Sequence, residues 1–551
     1  MEGNLTTLPV TEETIRKAEE TLLAYRAAKA PLEARLLENE QWYRLRHWST
    51  MRRNPGDPEP ASAWLLNCIA NKHADAMDNV PEPYVLPREE GDAPDAEALS
   101  AILPVVMELN EYEQVYSDVW WAKLKGGTGV TGVFWNPDGA DGLGDVDIRK
   151  VELLRLYWEP GVSRLQASRN VFHVESVPNE TLIDRWPFLR GRLNGSALTD
   201  SALPASAQTG ERSVVVDWYY KRRCGGRTVV HYAKFVCGNL LYASENDERY
   251  RLRGYYDHGL YPFVFDTQFV EPDSPAGFGY IDVCKQPQMY IDRLNQVILK
   301  GALMAARPRF FIRSDGSINE QEYADWTRDF VHFQGGSSPQ ESIRQIDVRG
   351  PDAVLVRILS DKIEELKETS GNRDFSQGSA ASGVTAAGAI MALQDAGGKL
   401  SRDMLKSSYR AFTKVCELCV ELIRQFYDEP RCFRILGEAA SIRYIRYDNA
   451  RIRPRVEDGL YRKPAFDIKI RPQRSAPMVM SARNEMAREF YKMGFFDPAN
   501  AEQALGCLEM MEFEGKPQMI ELLRRRRGAL VPAAENKGLT LRAGSGAAGM
   551  V

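Results

Sequence analysis

Apolar residues recur at two different spacings along this chain, and the spacing changes near residues 128, 278 and 430. Spacings of three and four residues predict helices, whereas strict alternation predicts strands with one buried face. The helical pattern covers 11–48, 62–78, about 96–124, 279–306, 352–370, a long stretch ending near Tyr427, and about 480–527. The alternating pattern covers 129–136, 145–153, 170–177, 212–223, 227–236, 239–244, 432–437, 441–448 and 466–473. The sequence therefore predicts an α+β protein in which early and late strands could join one domain.

Three of the predicted helices before residue 310 contain a proline. Pro31, Pro104 and Pro287 each lack the backbone N–H that a helix interior uses, and each ring crowds the carbonyl four residues earlier. We expect a break or kink at Pro31, an interruption at Pro104 and disturbed first turns around Pro287. The helices at 279–306 and 352–370 flank a compact segment, so they can form a pair that projects from the strand-rich domain.

Length and composition narrow the class of protein. The chain has 551 residues, of which 44% are hydrophobic, and a formal net charge of -5. A protein that holds DNA by neutralising many phosphates usually has the opposite charge balance, so tight binding over the whole surface is not expected. The eight cysteines are too sparse for a disulfide framework, which fits a reducing compartment. The N-terminus predicts no signal peptide, and no apolar run reaches the roughly 18 residues of a membrane helix.

The stretch GSAASGVT at 378–385 comes close to a phosphate-binding loop. Gly378, Gly383 and Thr385 match the pattern G-x-x-x-x-G-K-[ST], but Val384 occupies the lysine position. Such a loop must follow a buried strand and open a helix, whereas here a charged amphipathic helix precedes it. A nucleotide site is therefore disfavoured, and we expect no cofactor.

The remaining motifs favour structural roles. Cys416 and Cys419 lie one helical turn apart with no second cysteine pair to complete a zinc site, so core packing is favoured. His173 alternates with apolar neighbours as a strand residue does. NPDGADG at 136–142 departs from a calcium loop and favours a hairpin turn. The four arginines at 524–527 fit either phosphate contacts or the last turn of a helix. We expect no metal site and no catalytic residue.

Four longer stretches resemble one known family. They are WAKLKGGTGVTGVFWNPDG (121–139), SRNVFHVESVPNETLIDRWP (168–187), YPFVFDTQFVEPDSPAGFGYIDVCKQPQMYIDRLNQ (261–296) and SGVTAAGAIMALQDAG (382–397). Together with the order of elements over about residues 10–527, they are similar to the portal proteins of tailed double-stranded DNA phages.

The resemblance implies a ring, usually of twelve subunits, at one vertex of the virion capsid, assembled in the host cytoplasm. Double-stranded DNA would pass through its centre, driven by a separate terminase, so the chain itself would be no enzyme. The other implied partners are the major capsid and scaffolding proteins and a head-completion adaptor, with no membrane involved. The resemblance divides the chain into an N-terminal wing part (1–277), stem helix 1 (278–306), a clip (307–351), stem helix 2 (352–373), a tunnel loop (374–386), a long helix (387–428), C-terminal wing strands (429–479), a helical crown (480–527) and a disordered tail (528–551).

The candidate channel residues follow from this division. Residues 378–383 of the tunnel loop bring little volume and no charge, so this stretch can change conformation cheaply and several copies can crowd one axis. The loop's candidate DNA-facing residues are Phe375, Ser376, Gln377, Gly378, Ser379, Ala380, Ala381, Ser382, Gly383, Val384 and Thr385. An ordinary linker is the alternative reading of the same composition.

DNA that slides should meet few basic side chains. The candidate basic positions are Lys300, Arg357 and Lys362 on the stem helices, and Arg373 and Lys399 beside the loop. The alternative is that they belong to ordinary solvated helix faces.

Two other classes of function stay open at this point. An NTP-dependent motor would depend on residues 378–385 and needs the absent lysine. A head–tail adaptor or capsid scaffold without a DNA channel would explain the strands but not the paired helices around a compact insert.

Overall fold

The computed structural model of the chain describes a defined set of residues. They are 9–51, 54, 56–193, 200, 211–224, 226–306, 309–312, 319, 321–322, 332, 343–346, 350, 352–371, 399–436, 442–457, 460–474, 487–495, 501–510, 519–520 and 523. The chain divides into two compact units, Met1–Gln473 and Arg474–Val551. In the second unit, Phe490, Ala504, Leu508 and Leu523 form a small buried cluster of their own.

The described helices agree closely with the predicted ones. They are α1 (Glu12–Tyr43), α2 (Trp64–Met77), α3 (Ala93–Leu109), α4 (Tyr112–Gly126), α5 (Asn179–Arg185), α6 (Tyr280–Ala306), α7 (Ala353–Ser370), α8 (Lys399–Phe426) and α9 (Ala501–Met510). Helix α8 is strongly amphipathic, and its apolar stripe packs into the largest core of the molecule. Cys416 and Cys419 lie fully buried on that stripe, as predicted.

The strands form several small sheets. They are β1 (Asn79–Pro87), β2 (Thr128–Asn136), β3 (Asp145–Val151), β4 (Leu156–Trp158), β5 (Asn170–Pro178), β6 (Arg212–Cys224), β7 (Arg227–Val236), β8 (Asn239–Ala243), β9 (Phe263–Thr267), β10 (Arg309–Ile312), β11 (Ile343–Ile346), β12 (Arg431–Leu436), β13 (Ile442–Tyr447), β14 (Arg455–Glu457), β15 (Leu460–Arg462) and β16 (Phe466–Arg474). The described sheets have the orders β4-β5-β6-β7-β8 and β3-β2-β9, with the pairs β1-β16, β10-β11, β12-β13 and β14-β15. This mixture of helices and small sheets confirms the α+β class.

The five-stranded sheet has a core of its own against α1. Ile15 and Leu22 of the helix pack on Phe172 and Trp218 of the sheet. Lys29 of α1 is buried beside this sheet. Its ammonium donates to the backbone oxygen of Leu153, which precedes β4, at 2.6 Å and to that of Leu156, the first residue of β4, at 2.9 Å. Burial lowers the pKa of Lys29 to about 7. The N-terminal helix is therefore held by both apolar contact and a buried amine.

His173 is a strand residue with a polar partner, as its alternating pattern predicted. It lies opposite Asp217 in the β5–β6 ladder, and the nearest side-chain atoms are 3.4 Å apart. Lys234 on β7 also reaches Asp217, at 3.1 Å, and the Tyr232 hydroxyl donates to it. Burial alone would raise the pKa of Asp217, but these three partners hold it well below its usual range. The group stabilises the sheet interior.

The predicted break at Pro31 and the interruption at Pro104 do not occur, and the disturbance expected around Pro287 stays a prediction. Helices α1, α3 and α6 each continue through their proline. The break between α3 and α4 lies instead at Asn110 and Glu111, where Glu111 has a left-handed φ of 48°. A proline removes one helical hydrogen bond, and tertiary packing along a long helix can offset that loss. The predictions at Pro31 and Pro104 were therefore wrong, because they considered the local backbone alone.

Strand β1 was missed because its sequence, NVPEPYVLP, carries prolines at 81, 83 and 87. The structure shows why a strand tolerates them. All three have the same parity, so the N–H groups they lack would point to one edge of the strand. The backbone N–H of Val85, which is odd-numbered like the prolines, donates to the Ser100 hydroxyl of α3. The N–H of the even-numbered Arg88 points to the other edge and donates to the backbone oxygen of Ala465 beside β16. Pairing with β16 joins the early strands to the late ones, as the sequence suggested.

Candidate functional site

Helices α6 and α7 pack against each other and are buried only at one end; we call them the projecting pair. The buried residues of α6 lie in its first two thirds and are Tyr280, Ile281, Cys284, Gln288, Ile291, Asp292 and Gln296. Those of α7 are Leu366 and Ser370, in its last turn and a half. Asp352 caps the start of α7 through the N–H of Val354, and Gly371 ends the helix in the left-handed region, with φ 67°. The other end of the pair therefore extends beyond the core.

Exposed apolar side chains cover this extended end. Between 39% and 58% of each is accessible, and they are Val297, Leu299, Leu303, Val354, Val356 and Ile358. On ordinary protein surfaces exposed apolar side chains are scattered singly, whereas here they are grouped on both helices of the pair. Between the two helices in sequence, β10 and β11 form an antiparallel hairpin.

A segment of the N-terminal region, 57–62, is tied along α6 by polar contacts; we call it the strap. Gln288 and Gln296 donate to the backbone oxygens of the strap, each at 2.9 Å. Between them, the buried carboxylate of Asp292 accepts from the backbone N–H of Ser62 at 2.9 Å and lies 3.0 Å from the imidazole of His47. The polar residues 288, 292 and 296 share one face of α6 because they are four apart. That spacing was the available sequence signal for the strap, which sequence reasoning missed.

Both ends of the segment 372–398 are held on the same turn of α2. Before the segment, the side chain of Ser370 in α7 is hydrogen-bonded to Cys68. After it, Ser401 in α8 accepts from Lys72 at 3.1 Å and donates to Asp75 at 2.8 Å. Residues 68 and 72 are one helical turn apart, roughly 6 Å along the axis. The segment that contains the predicted tunnel loop therefore begins and ends close to one place in the fold.

A second polar cluster fixes α8 about two turns further on. The ammonium of Lys123 on α4 is fully buried and donates to Asp266 of β9 and to Ser408 of α8, each at 2.8 Å. Ser408 also donates to the same carboxylate. Lys123 lies 4.4 Å from the ring centre of Trp120, which adds a cation–π contact. The start of α8 is thus bonded to α2, α4 and β9.

The candidate basic residues differ in whether a carboxylate pairs with them. Lys300 pairs with Asp57 of the strap at 2.7 Å, and Lys362 pairs with Glu365 of its own helix. Arg357 is exposed and has no partner among the residues that the structure describes. Lys399 is the first described residue of α8, and Arg373 lies outside the described residues. Of the three candidates on the projecting pair, Arg357 alone has no ion pair among the described residues.

The predicted tunnel loop, 374–386, and the four arginines at 524–527 lie outside the described residues. NPDGADG forms the turn between β2 and β3, as predicted, with Ala140 and Asp141 in the left-handed region. In the described part of the chain, no group of histidines, cysteines and carboxylates is arranged to hold a metal ion, and no helix is long and apolar enough to cross a bilayer.

Comparison with known families adds an independent finding. The model of the phage P22-like portal protein family matches residues 73–260 and 261–539, which is most of the chain. The chain belongs to the P22-like portal protein family. No curated protein matches it. The match covers the projecting pair, the strands on both sides of it and α8.

Membership in this family gives the coarse function. The chain is a phage portal protein, a structural component of the capsid that works as an oligomer in DNA packaging rather than as an enzyme. The resemblance that the sequence suggested is therefore confirmed at the level of the family.

Proposed function

We propose that this portal protein forms a ring, of about twelve copies, at one capsid vertex, and that double-stranded DNA is packaged and ejected through its centre. In this proposal the projecting pair is the stem, 307–351 the clip, the strand-rich part the wing and 480–527 the crown. Residues 374–386 line the channel. Terminase and the head-completion adaptor dock on the ring, which also contacts the major capsid and scaffolding proteins.

The observation that carries the proposal is the anchoring of both ends of segment 372–398 on one turn of α2. Ends that lie close together are what a loop presented to a lumen requires, and the proposal assigns that role to this segment. The rigid attachments on both sides, through Ser370 and Ser401, would hold the loop in register from one subunit to the next.

Charge supports a channel through which DNA slides. Twelve copies at -5 would carry about -60 formal charges, which repels a polyanion except at local basic positions. Two of the candidate cations, Lys300 and Lys362, are already paired with carboxylates, so they would hold phosphates weakly. Weak, scattered contacts allow translocation, because strong phosphate binding would stop it.

The apolar residues at the extended end of the projecting pair support the ring. In an isolated subunit they lie in water, whereas neighbouring pairs around a ring would cover them at roughly 25 cal/mol for each Å² removed from solvent. The direct test is electron microscopy and native mass spectrometry of the purified chain. Rings with a central hole are expected, and a stable monomer or a closed assembly without a hole would leave only the adaptor or scaffold alternative.

A paired variant tests whether the projecting pair carries the assembly. Replacing Val354 and Val356 by aspartate should shift the mass distribution from rings to single subunits, since it places charges in the proposed contact. Val270→Asp is the matched control, because Val270 is 79% exposed but lies outside the pair. If the control dissociates the ring as readily as the paired variant, the assembly depends on charge in general and not on this surface.

The channel role of the loop needs a separate variant. Deleting 378–383 should leave the ring intact and impair packaging or DNA retention. Replacement of the same residues by an equal length of glycine and serine should keep packaging, because the proposal depends on small size and mobility. Loss of folding in the deleted subunit would show that the loop is structural.

A further inference from the structure

A groove of about 940 Å³ opens between β9, α8 and the start of β16. Phe263, Val264 and Phe265 of β9 all line it. Successive residues of a strand point to opposite faces, so a groove that touches all three runs along the edge of the strand rather than over one face. Leu418 of α8 and Phe466 of β16 complete an apolar floor. Its volume is in the range of binding clefts rather than of packing defects.

The edge of β9 that faces this groove is unpaired. On its other edge β9 is bonded to β2, and the Val133 N–H donates to Pro262 and the Gln268 N–H to Gly127. The even-numbered residues of β9 therefore turn their backbone groups to β2, and the odd-numbered ones turn theirs away. Those odd-numbered residues are Phe263, Phe265 and Thr267, and within the described chain no strand or side chain bonds to their N–H and C=O groups. An open edge of this kind is a template for a further strand.

The rim of the groove is basic. The lining contains five cationic side chains and two carboxylates, Glu417 and Glu421. The five cations are Arg88, Arg164, Lys414, Arg424 and Lys463. Burial, and then the charge of Lys463, lower the pKa of His258 at the rim to about 3, so this histidine is neutral near pH 7.

The rim cations differ in their partners. Arg88, Arg424 and Lys463 are engaged by nearby carboxylates. Arg164 and Lys414 are exposed and unpaired among the described residues. An occupant that brings carboxylates would satisfy these two.

We propose that this groove, the β9 groove, binds an extended segment of another protein, in which apolar side chains alternate with aspartate or glutamate. The segment adds to the open edge of β9 through main-chain hydrogen bonds. Its apolar side chains lie on the floor beside Phe265 and Leu418, and its carboxylates face Arg164 and Lys414. The open edge of β9 favours a polypeptide, because its backbone N–H and C=O groups match those of an added strand.

At least two segments of this chain alternate in the required way. One, MEFE at 511–514, lies outside the described residues, so the comparison of dissociated subunits with the ring described below tests it. Asp145–Ile148 has the required pattern, DVDI, but it lies in β3 and pairs with β2. β9 offers five residues, about 17 Å of edge, which suits a segment of about five to eight residues.

The test uses the assembled full-length protein and a fluorescent peptide of about eight residues in which valine alternates with aspartate. Saturable binding is expected, with one peptide for each subunit. A peptide methylated on the amides that would face β9 should not bind, because it lacks the N–H groups of a strand. A peptide of alternating valine and lysine should not bind either. Equal binding of the methylated or the lysine peptide would overturn the proposal.

A charge-reversed protein tests the rim. Arg164→Glu together with Lys414→Glu should weaken the peptide roughly tenfold and flatten the dependence of binding on salt. Lys406→Glu is the matched control, because Lys406 is exposed on the same helix and does not line the groove. Unchanged affinity in the reversed variant contradicts the proposal.

Two further results would assign the groove to a different occupant. Peptide binding to dissociated subunits but not to the assembled ring would show that a neighbouring copy fills it. Competition by a short DNA duplex, at an affinity equal to that of the peptide, would assign the rim to nucleic acid. Either outcome overturns the proposal that another protein docks here.

Discussion

The buried cluster of Lys123, Asp266 and Ser408 makes a sharp energetic prediction. Lys123 is fully buried, and its ammonium contacts Asp266 and Ser408 at 2.8 Å. Replacing Asp266 by alanine leaves that ammonium without its counter-charge in an apolar core. A buried pair that loses one partner destabilises a protein by about 3–5 kcal/mol.

The matched variant removes both charges. Lys123→Met with Asp266→Leu keeps the side-chain volume similar and removes both charges from the low-dielectric interior. Buried ion pairs replaced in this way are often neutral or stabilising, since the desolvation cost disappears together with the attraction. We therefore expect the double variant to be much closer to the parent than the Asp266→Ala variant is.

Hydrogen exchange followed by mass spectrometry measures this effect where it arises. Peptides that cover the start of α8 report the free energy of local opening when closing is faster than exchange. In the Asp266→Ala variant these amides should exchange faster by roughly two to three and a half powers of ten. Amides of β6, in the separate five-stranded sheet, serve as the internal control.

The reasoning is refuted if the double variant exchanges as fast as the single variant and both exchange faster than the parent. That result would mean that the lost contacts, and not the unpaired ammonium, open the start of α8. An unchanged rate in both variants would show that Ser401 and its contacts with α2 are sufficient.

Three further predictions follow from single residues. The pKa of Lys29 is about 7 in the folded chain and near 10.5 in the unfolded chain. Between pH 7 and 10.5 the unfolded state therefore binds more protons than the folded state. Protection of α1 from hydrogen exchange, corrected for the intrinsic rate, should therefore increase from pH 7 towards 10.5, and Lys29→Met should remove that dependence. Gly127→Ala should lower the melting temperature more than Gly161→Ala. Both have positive φ, but a Cβ at Gly127 would meet backbone atoms at 2.3 Å, whereas at Gly161 it meets nothing. Native thiol labelling should modify the exposed Cys432 well before the buried Cys416, whose pKa is raised by burial; equal rates would contradict the core placement of α8.

Helices with a clear periodic stripe were predictable from sequence to within a few residues. α6, α7 and most of the long strands fall into this group, because a repeat of 3.6 or 2 residues is a local property. The prolines of β1 hid a strand, since their tolerance depends on which edge faces α3. The break at Glu111 was also missed, because Asn110 beside it is only a weak signal for a helix end and a non-glycine residue takes the left-handed conformation there.

The candidate site divides in the same way. Sequence resemblance identified the family and the likeness of the projecting pair to a stem, and the composition of 374–386 suggested a small, mobile loop. The strap escaped notice, since residues 57–62 have no pattern and are ordered by polar residues of α6 more than 220 positions later. The pairing of Lys300 with Asp57 depends on the same contact.

The sequence alone therefore determined the class of the protein, its family and the location of its main helices and strands. Tertiary structure decided which charged side chains form ion pairs. It buried Lys123 against Asp266 and paired Lys300 and Lys362. Among the described residues, it left Arg357, Arg164 and Lys414 without an ion pair and one edge of β9 without a partner strand. It also brought the two ends of segment 372–398 to one turn of α2. These features depend on contacts between residues far apart in the chain, and periodicity along a sequence contains no information about such contacts.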